Sequence, residues 1–420
     1  MNPDLLRDYL TKHDVSRRGV LGLAATAGII AAGTAGGLSV SDAAKAVPGS
    51  AAGPADDVPF DYADPANLHD WAPSPYGADD QRGTLNEVTP EKTARILRQT
   101  LDPKHPVTTY NLGALMWSGF PALQPYPPKR IHELRLVLGG YEPPENFRAE
   151  GGYVAFTEPI GANKLSVHEE RFTAEQPPGY PAPLSTTFQL GSQLDGLNHV
   201  GAAGLFYNGL RGRDIARGHG TTRLGNENMG PIVTRGVLLD VLGVKVATRQ
   251  SSDLGSPASN GTPVLRPNYR ITVNDIKQAM DFGRIDRIEP GDAVLLRTGW
   301  NQLLARRDSG DLARWGGSGG VPGIYLREAR YLAKFRPAII GSDTWTLEVF
   351  GNPVNEDGTI IPVHQELLMR HGVRIGESYA LDELARDRVY EFAFIVTPQF
   401  VEGATAGNTP PAALGQPKHG

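Results

Sequence analysis

The sequence contains no cysteine. That excludes disulfides, thiolate metal centres and cysteine nucleophiles together, so any metal must be held by imidazole, carboxylate, amide or backbone oxygen. Excess charge is also scarce. A net charge of -5 over 420 residues leaves no polybasic surface to argue for nucleic acid or anionic lipid. The one Gly-x-Ser-x-Gly match, Gly316-Gly-Ser-Gly-Gly320, has no strand before it to form a nucleophile elbow, which argues against a serine hydrolase. The glycine-rich run 316–320 has no Lys-Ser/Thr after it and no strand before it, so it reads as a loop and not as a phosphate cradle. Internal repeats and coiled-coil heptads are missing as well. A small-molecule substrate is the expected partner.

What is abundant is glycine, at 50 residues, and proline, at 34, which predicts many turns and a strand-rich fold over a helical bundle. The length suits one large domain. At the N-terminus, Ser16-Arg17-Arg18 precedes an uncharged stretch from Gly19 to Ser41, and Ala44-Lys45-Ala46 offers a small-residue cleavage site. Residues 1–46 therefore read as a twin-arginine-type signal peptide, with Val20 and Gly22 at positions usually held by Phe and Lys. The expectation is an exported, periplasmic or extracellular protein without stable membrane association after cleavage; the bland alternative is an uncleaved anchor. Residues 47–69 read as a linker, 70–402 as the folded domain and 403–420, again rich in Gly, Ala and Pro, as a flexible tail.

Short apolar runs bounded by Gly, Pro or Asp predict buried strands at Val233–Val241, Ala293–Gly299, Ala338–Ser342 and Glu391–Thr397. Helices are expected at Pro90–Gln99 behind a Thr89 cap, at Thr272–Phe282 with a capping box to Asp275, at Tyr325–Lys334, and at Val363–His371 ending on Gly372. Strands and helices mix without strict alternation, which points to an α/β fold with a mixed sheet flanked by helices.

The chemistry concentrates in Gln189-Leu-Gly-Ser-Gln-Leu-Asp-Gly-Leu-Asn-His199. Gln189, Gln193, Asp195 and His199 stand at offsets of 0, 4, 6 and 10. Such spacing suits an irregular strand end where alternate side chains converge, and Gly191 and Gly196 let the backbone turn tightly. Taken alone, Asp195 and His199 could equally form a structural turn.

In its order of segments the chain resembles the kynurenine formamidase/cyclase-like family. The resemblance runs over roughly 70–400: Trp71 and Tyr76–Asn86, Pro231–Asp240, Pro290–Trp300, Gly341–Trp345, and His364 followed by Gly372 and Glu377. The family's signature is His-x-Gly-Thr-His-x-Asp-x-x-x-His, and here glutamine stands at both leading histidine positions. The resemblance implies a swivelling β/β/α fold around a small barrel-like sheet, a divalent metal (Mn or Zn) and a homo-oligomer. It implies Gln189, Gln193 and Asp195 as signature ligands, His364 and Glu377 as a late ligand pair, and His199 as acid/base. The activity implied is hydrolysis of a C–N bond in a small aromatic amide, arylformamidase-like, as in conversion of N-formylkynurenine to kynurenine in tryptophan breakdown. A cyclic amide or lactone hydrolase or cyclase, and a non-catalytic binding protein on the same fold, are the alternatives.

An amide oxygen is a weaker and harder ligand than imidazole. Two arrangements are therefore open. A metal is held by Asp195, His364, Glu377 and one or both glutamine oxygens, or the site is metal-free and the glutamines donate hydrogen bonds to a substrate carbonyl. Trp345, Asp343, Tyr207 and Arg297 are candidate substrate-binding residues. Arg297 suits a substrate carboxylate, or an ion pair with Asp292 or Asp240.

Overall fold

The computed structural model describes residues 54–418 apart from 103, 122–131, 133–134, 150–151, 159–166, 172–186, 218–219 and 352–358. The expected signal peptide lies outside the described residues. Among those described, no helix is long and apolar enough to cross a membrane.

Nine strands form one mixed sheet that curls into a half-barrel: β1 (Thr108–Asn111), β2 (Gln193–Asp195), β3 (Ile232–Leu239), β4 (Ala293–Leu296), β5 (Ile339–Ser342), β6 (Arg374–Glu377), β7 (Glu391–Val396), β8 (Ala406–Gly407) and β9 (Ala412–Gly415). Their spatial order is β1-β9-β7-β3-β4-β5-β6-β2-β8. The centre, β3 to β6, is parallel, and both flanks are antiparallel. The parallel strands are buried along nearly their whole length, which is why they read as unbroken apolar runs. A separate three-stranded sheet is built from residues 135–139, 153–156 and 167–171. The expected α/β class, with a barrel-like mixed sheet flanked by helices, is what the chain adopts.

The helices flanking the sheet are α1 (Pro90–Thr100), α2 (Val241–Ala247), α3 (Val273–Gly283) and α4 (Leu326–Ala333). Thr89 accepts from the Lys92 amide at the start of α1, and Thr272 with Asp275 forms the expected capping box on α3. The expected strand through Val241 ends two residues early. Asp240 accepts a hydrogen bond from the Gly243 amide and so caps α2, which the sequence reading had not separated from the strand. The helix at 363–371 starts at Pro362 and continues from Gln365 to His371 with wider π-type turns. It stops on Gly372 at φ 62, the left-handed cap anticipated.

Two boundaries are corrected. The linker expected over 47–69 is folded from residue 54. The Asp57 carboxylate pairs with Arg270 and Arg327, each at 2.8 Å, and Tyr62 is buried with its hydroxyl on the Gln365 carbonyl. Beside it, Trp71 and Met369 complete a small apolar cluster. The tail expected from 403 supplies two strands. β9 lies between β1 and β7, and β8 pairs with β2. Two of its glycines sit where neighbouring side chains press on the strand: a Cβ on Gly407 would lie 2.6 Å from the Pro398 ring, and one on Gly415 2.4 Å from the Val389 side chain.

Candidate active site

β2 and β6 build the site together. They pair antiparallel with Gln193 opposite Glu377 and Leu194 opposite Gly376. Alternation along β2 sends Leu194 into the core and puts Gln193 and Asp195 on the other face, beside Glu377. On its second edge β2 pairs with β8, Asp195 standing opposite Ala406. The chain then turns through Gly196, whose amide donates to the Thr405 carbonyl. A Cβ there would meet Asn198 Oδ1 at 2.3 Å and Thr405 oxygen at 2.9 Å, so only glycine fits. His199 follows the turn, its amide on the Gly196 carbonyl and its ring centroid 6.4 Å from that of His364.

One donor atom each from Asp195, His364 and Glu377 lies within 4.8 Å of the other two, and all three residues are buried. His364 Nε2 is 3.2 Å from Glu377 Oε1 and 3.8 Å from Asp195 Oδ2. Its Nδ1 is 2.5 Å from Glu348 Oε1. Burial by itself lowers the His364 pKa, but Glu348 and Glu377 outweigh it and hold the imidazole well above its ordinary value. Arg374, fully buried, donates to the Asp195 backbone carbonyl at 3.3 Å. Burial pulls that guanidinium down to about 9, against the upward influence of Asp195.

These residues fit a divalent cation. Three buried carboxylates, of Asp195, Glu348 and Glu377, face one imidazole, so the cluster keeps excess negative charge even with an imidazolium. Buried charge of one sign calls for a counter-ion. An imidazole nitrogen with two carboxylates is a donor set for Mn or Zn. Gln193 Oε1 is buried with no hydrogen-bond partner among the described residues, which leaves an amide oxygen for such an ion.

The glutamines also do something the sequence reading had not anticipated. Gln193 Nε2 donates to Glu377 Oε2 at 2.6 Å and to Gln189 Oε1 at 2.8 Å. Gln189 therefore stands one bond back from Glu377, its amide oxygen accepting from Gln193.

A cavity of about 30 Å³ opens beside Gln189, Gln193 and Glu377, walled by Phe120, Trp315 and Trp345. Trp345 is thus placed where a pocket residue was expected, and its indole nitrogen donates to the Trp315 carbonyl. The other three candidates serve the scaffold. Asp343 is wholly buried and accepts from the Thr298 and Gly299 amides and the Thr298 hydroxyl, tying β5 to the turn after β4. Burial pushes its carboxyl up to about 7. Tyr207 is buried with its hydroxyl on Ser74 and Asp80. Its ring packs where a Cβ on Gly372 would come within 2.6 Å. Arg297 is held by Asp240 and Asp382, each at 2.8 Å, so the ion-pair alternative applies with Asp240 and not with Asp292. Asp292 instead binds Lys92 and Arg235.

Sequence reasoning missed Glu348. It lies sixteen residues before His364, in a stretch (Trp345-Thr-Leu-Glu-Val349) that reads as packing. The one available signal was an acidic residue inside an apolar run, which folding buries only with a partner.

Residues 116–349 match the Cyclase family, described as "Putative cyclase". A crystal structure of a novel cyclase superposes with a TM-score of 0.61 at 25% identity, over 80% of this chain and 97% of that one. Isatin hydrolase A from Ralstonia solanacearum gives a TM-score of 0.46 at 16% identity, over 78% of this chain and 97% of that one. No curated protein matches the chain. The family match spans more than half of the sequence and the fold agrees with it, so this chain belongs to the cyclase family.

Proposed function

We propose that the protein is a metal-dependent hydrolase acting on a C–N bond of a small aromatic amide, arylformamidase-like. The observation that carries the reading is the convergence of Asp195, His364 and Glu377, with His199 beside them. Asp195, His364 and Glu377 would hold the metal, with the Gln193 oxygen as a further donor. A divalent ion in such a site supplies Lewis-acid polarisation of a carbonyl and lowers the pKa of water. His199 takes the proton of the attacking water and returns it to the leaving nitrogen as the C–N bond breaks. Phe120, Trp315 and Trp345 offer flat apolar walls beside the site, and these must part to admit an aromatic ring, because the cavity of about 30 Å³ between them holds about one water. In the metal-free arrangement the donor to a substrate carbonyl would be Gln189, whose Nε2 makes only a 3.5 Å contact with Thr405, because the Gln193 N–H groups are already spent on Glu377 and Gln189.

The test is elemental analysis of residues 47–420, purified without chelator and supplied with Mn and Zn. A parallel assay uses an N-formylated aromatic amine and, for comparison, a cyclic aromatic amide and a lactone. Bound metal, together with turnover of the formamide that a chelator abolishes, supports the reading. Metal-dependent turnover of the cyclic substrates alone would move the activity to ring opening. Metal without turnover would favour a binding protein. Export through the twin-arginine route belongs to the same proposal and rests on Ser16-Arg17-Arg18 and the apolar stretch after it.

A further inference from the structure

We infer that Glu348 is a positioning residue that fixes which nitrogen of His364 faces the site. The inference rests on the reading of Asp195, His364 and Glu377 as a metal centre.

One carboxylate makes three contacts here. Glu348 Oε2 accepts from the Val363 amide at 3.2 Å, and Oε1 accepts from the His364 amide at 3.2 Å. Oε1 also lies 2.5 Å from His364 Nδ1. Pro362 opens this helix and has no N–H, so the Val363 and His364 amides are the first donors the helix leaves without internal acceptors. The same carboxylate thus satisfies the helix start and clamps the imidazole of its third residue. With Nδ1 directed at Glu348, Nε2 is the nitrogen left facing Glu377 and Asp195. A carboxylate on the far nitrogen of a ligating histidine sets its tautomer and ring angle and raises its basicity.

The clamp stands on a fixed platform. Residue 348 bridges to Ile324, the Val349 amide donates to the Ile324 carbonyl, and the Phe350 amide donates to the Val321 carbonyl. Glu348 itself is only 1% exposed, so water does not compete for its oxygens. Its three contacts join two segments whose backbones are held independently, which is what a positioning role needs.

The experiment compares wild type, Glu348→Gln and Glu348→Ala in the full chain. Affinity for Mn and for Co is measured by equilibrium dialysis, with the Co absorption spectrum recorded, and each protein is melted separately in chelator. Gln keeps an acceptor for Nδ1–H and loses the charge, whereas Ala loses both. Expected are about tenfold weaker binding in Glu348→Gln, about a hundredfold in Glu348→Ala and an altered Co spectrum in both. If Glu348→Ala fails to fold, Glu348→Gln alone decides. Wild-type affinity and spectrum in the folded variants, with only the melting temperature lowered in chelator, would mean that Glu348 merely caps the helix. That overturns the inference and leaves the metal reading standing. A wild type that binds neither ion overturns both.

Discussion

Gln193 and Glu377 face one another across the β2–β6 pair, and the Gln193 amide nitrogen donates to Glu377 Oε2 at 2.6 Å. Residues 184 positions apart in sequence thereby meet as nearest neighbours on one sheet face. A hydrogen bond to a buried carboxylate contributes about 1.5–3 kcal/mol. Gln193→Leu keeps the approximate shape and removes the donor, so it should lower unfolding stability by about that amount. Denaturant unfolding in the presence of chelator measures this without interference from metal. A change well under 1 kcal/mol would show that the bond contributes little.

Metal and base should separate on mutation. Asp195→Ala removes a carboxylate ligand and is expected to lose both metal and turnover. His199→Ala should keep the metal and lose about 10²–10⁴ in kcat, the usual contribution of a positioned acid/base. Metal content per chain beside kcat distinguishes the two. Metal loss in His199→Ala would make that histidine a ligand instead.

Ligand linkage gives a further check. An ion that binds only the folded state adds about 2.7 kcal/mol of stability at a hundred times its Kd. Melting in Mn should therefore exceed melting in chelator for wild type. The gap should close in Asp195→Ala and His364→Ala. A gap that persists in both variants would place the ion elsewhere on the chain.

The scaffold was legible where local rules decide it. Buried parallel strands read as apolar runs, and Thr89, Thr272 and Gly372 announced helix ends through their own chemistry. The site was legible only as a list of residues. Which of them meet depends on the cross-strand pairing of β2 with β6, and sequence alone does not give register between distant strands. For the same reason Glu348 escaped notice, and Tyr207, Asp343 and Arg297 were placed in a pocket they do not line. Their polar atoms are spent on Ser74 and Asp80, on Thr298 and Gly299, and on Asp240 and Asp382. Those partners are visible only once the chain is folded.

An acid-sensitive contact lies at the turn that leads into β4. Burial raises the Glu289 pKa, but hydrogen bonds from Arg95 and Arg287 and the charge of Arg235 outweigh it, and the carboxyl falls to about 2 from 4.5. A depressed folded-state pKa means the unfolded chain binds the proton more readily. The stabilisation is thus present above pH 4.5 and is lost as pH falls through about 2. Glu289→Gln should be less stable than wild type at pH 7, with the difference shrinking across that window. Stability measured by denaturant between pH 7 and pH 2 tests this, and a constant difference would refute it.

The C-terminal strands carry the last prediction. β9 is hydrogen-bonded to β7 on one side and β1 on the other, so deleting residues 403–420 leaves two inner edges with open backbone donors and acceptors. The same deletion removes β8 from the edge of β2 and the Thr405 carbonyl from the Gly196 amide, at the turn between Asp195 and His199. Both losses act together, so truncation after residue 402 should give an aggregating or unfolded chain. Truncation after Gln416 spares both strands and should leave folding and metal content intact. Solubility and circular dichroism of the two truncations decide the matter. A folded, metal-binding chain ending at 402 would mean that the half-barrel closes without its last two strands.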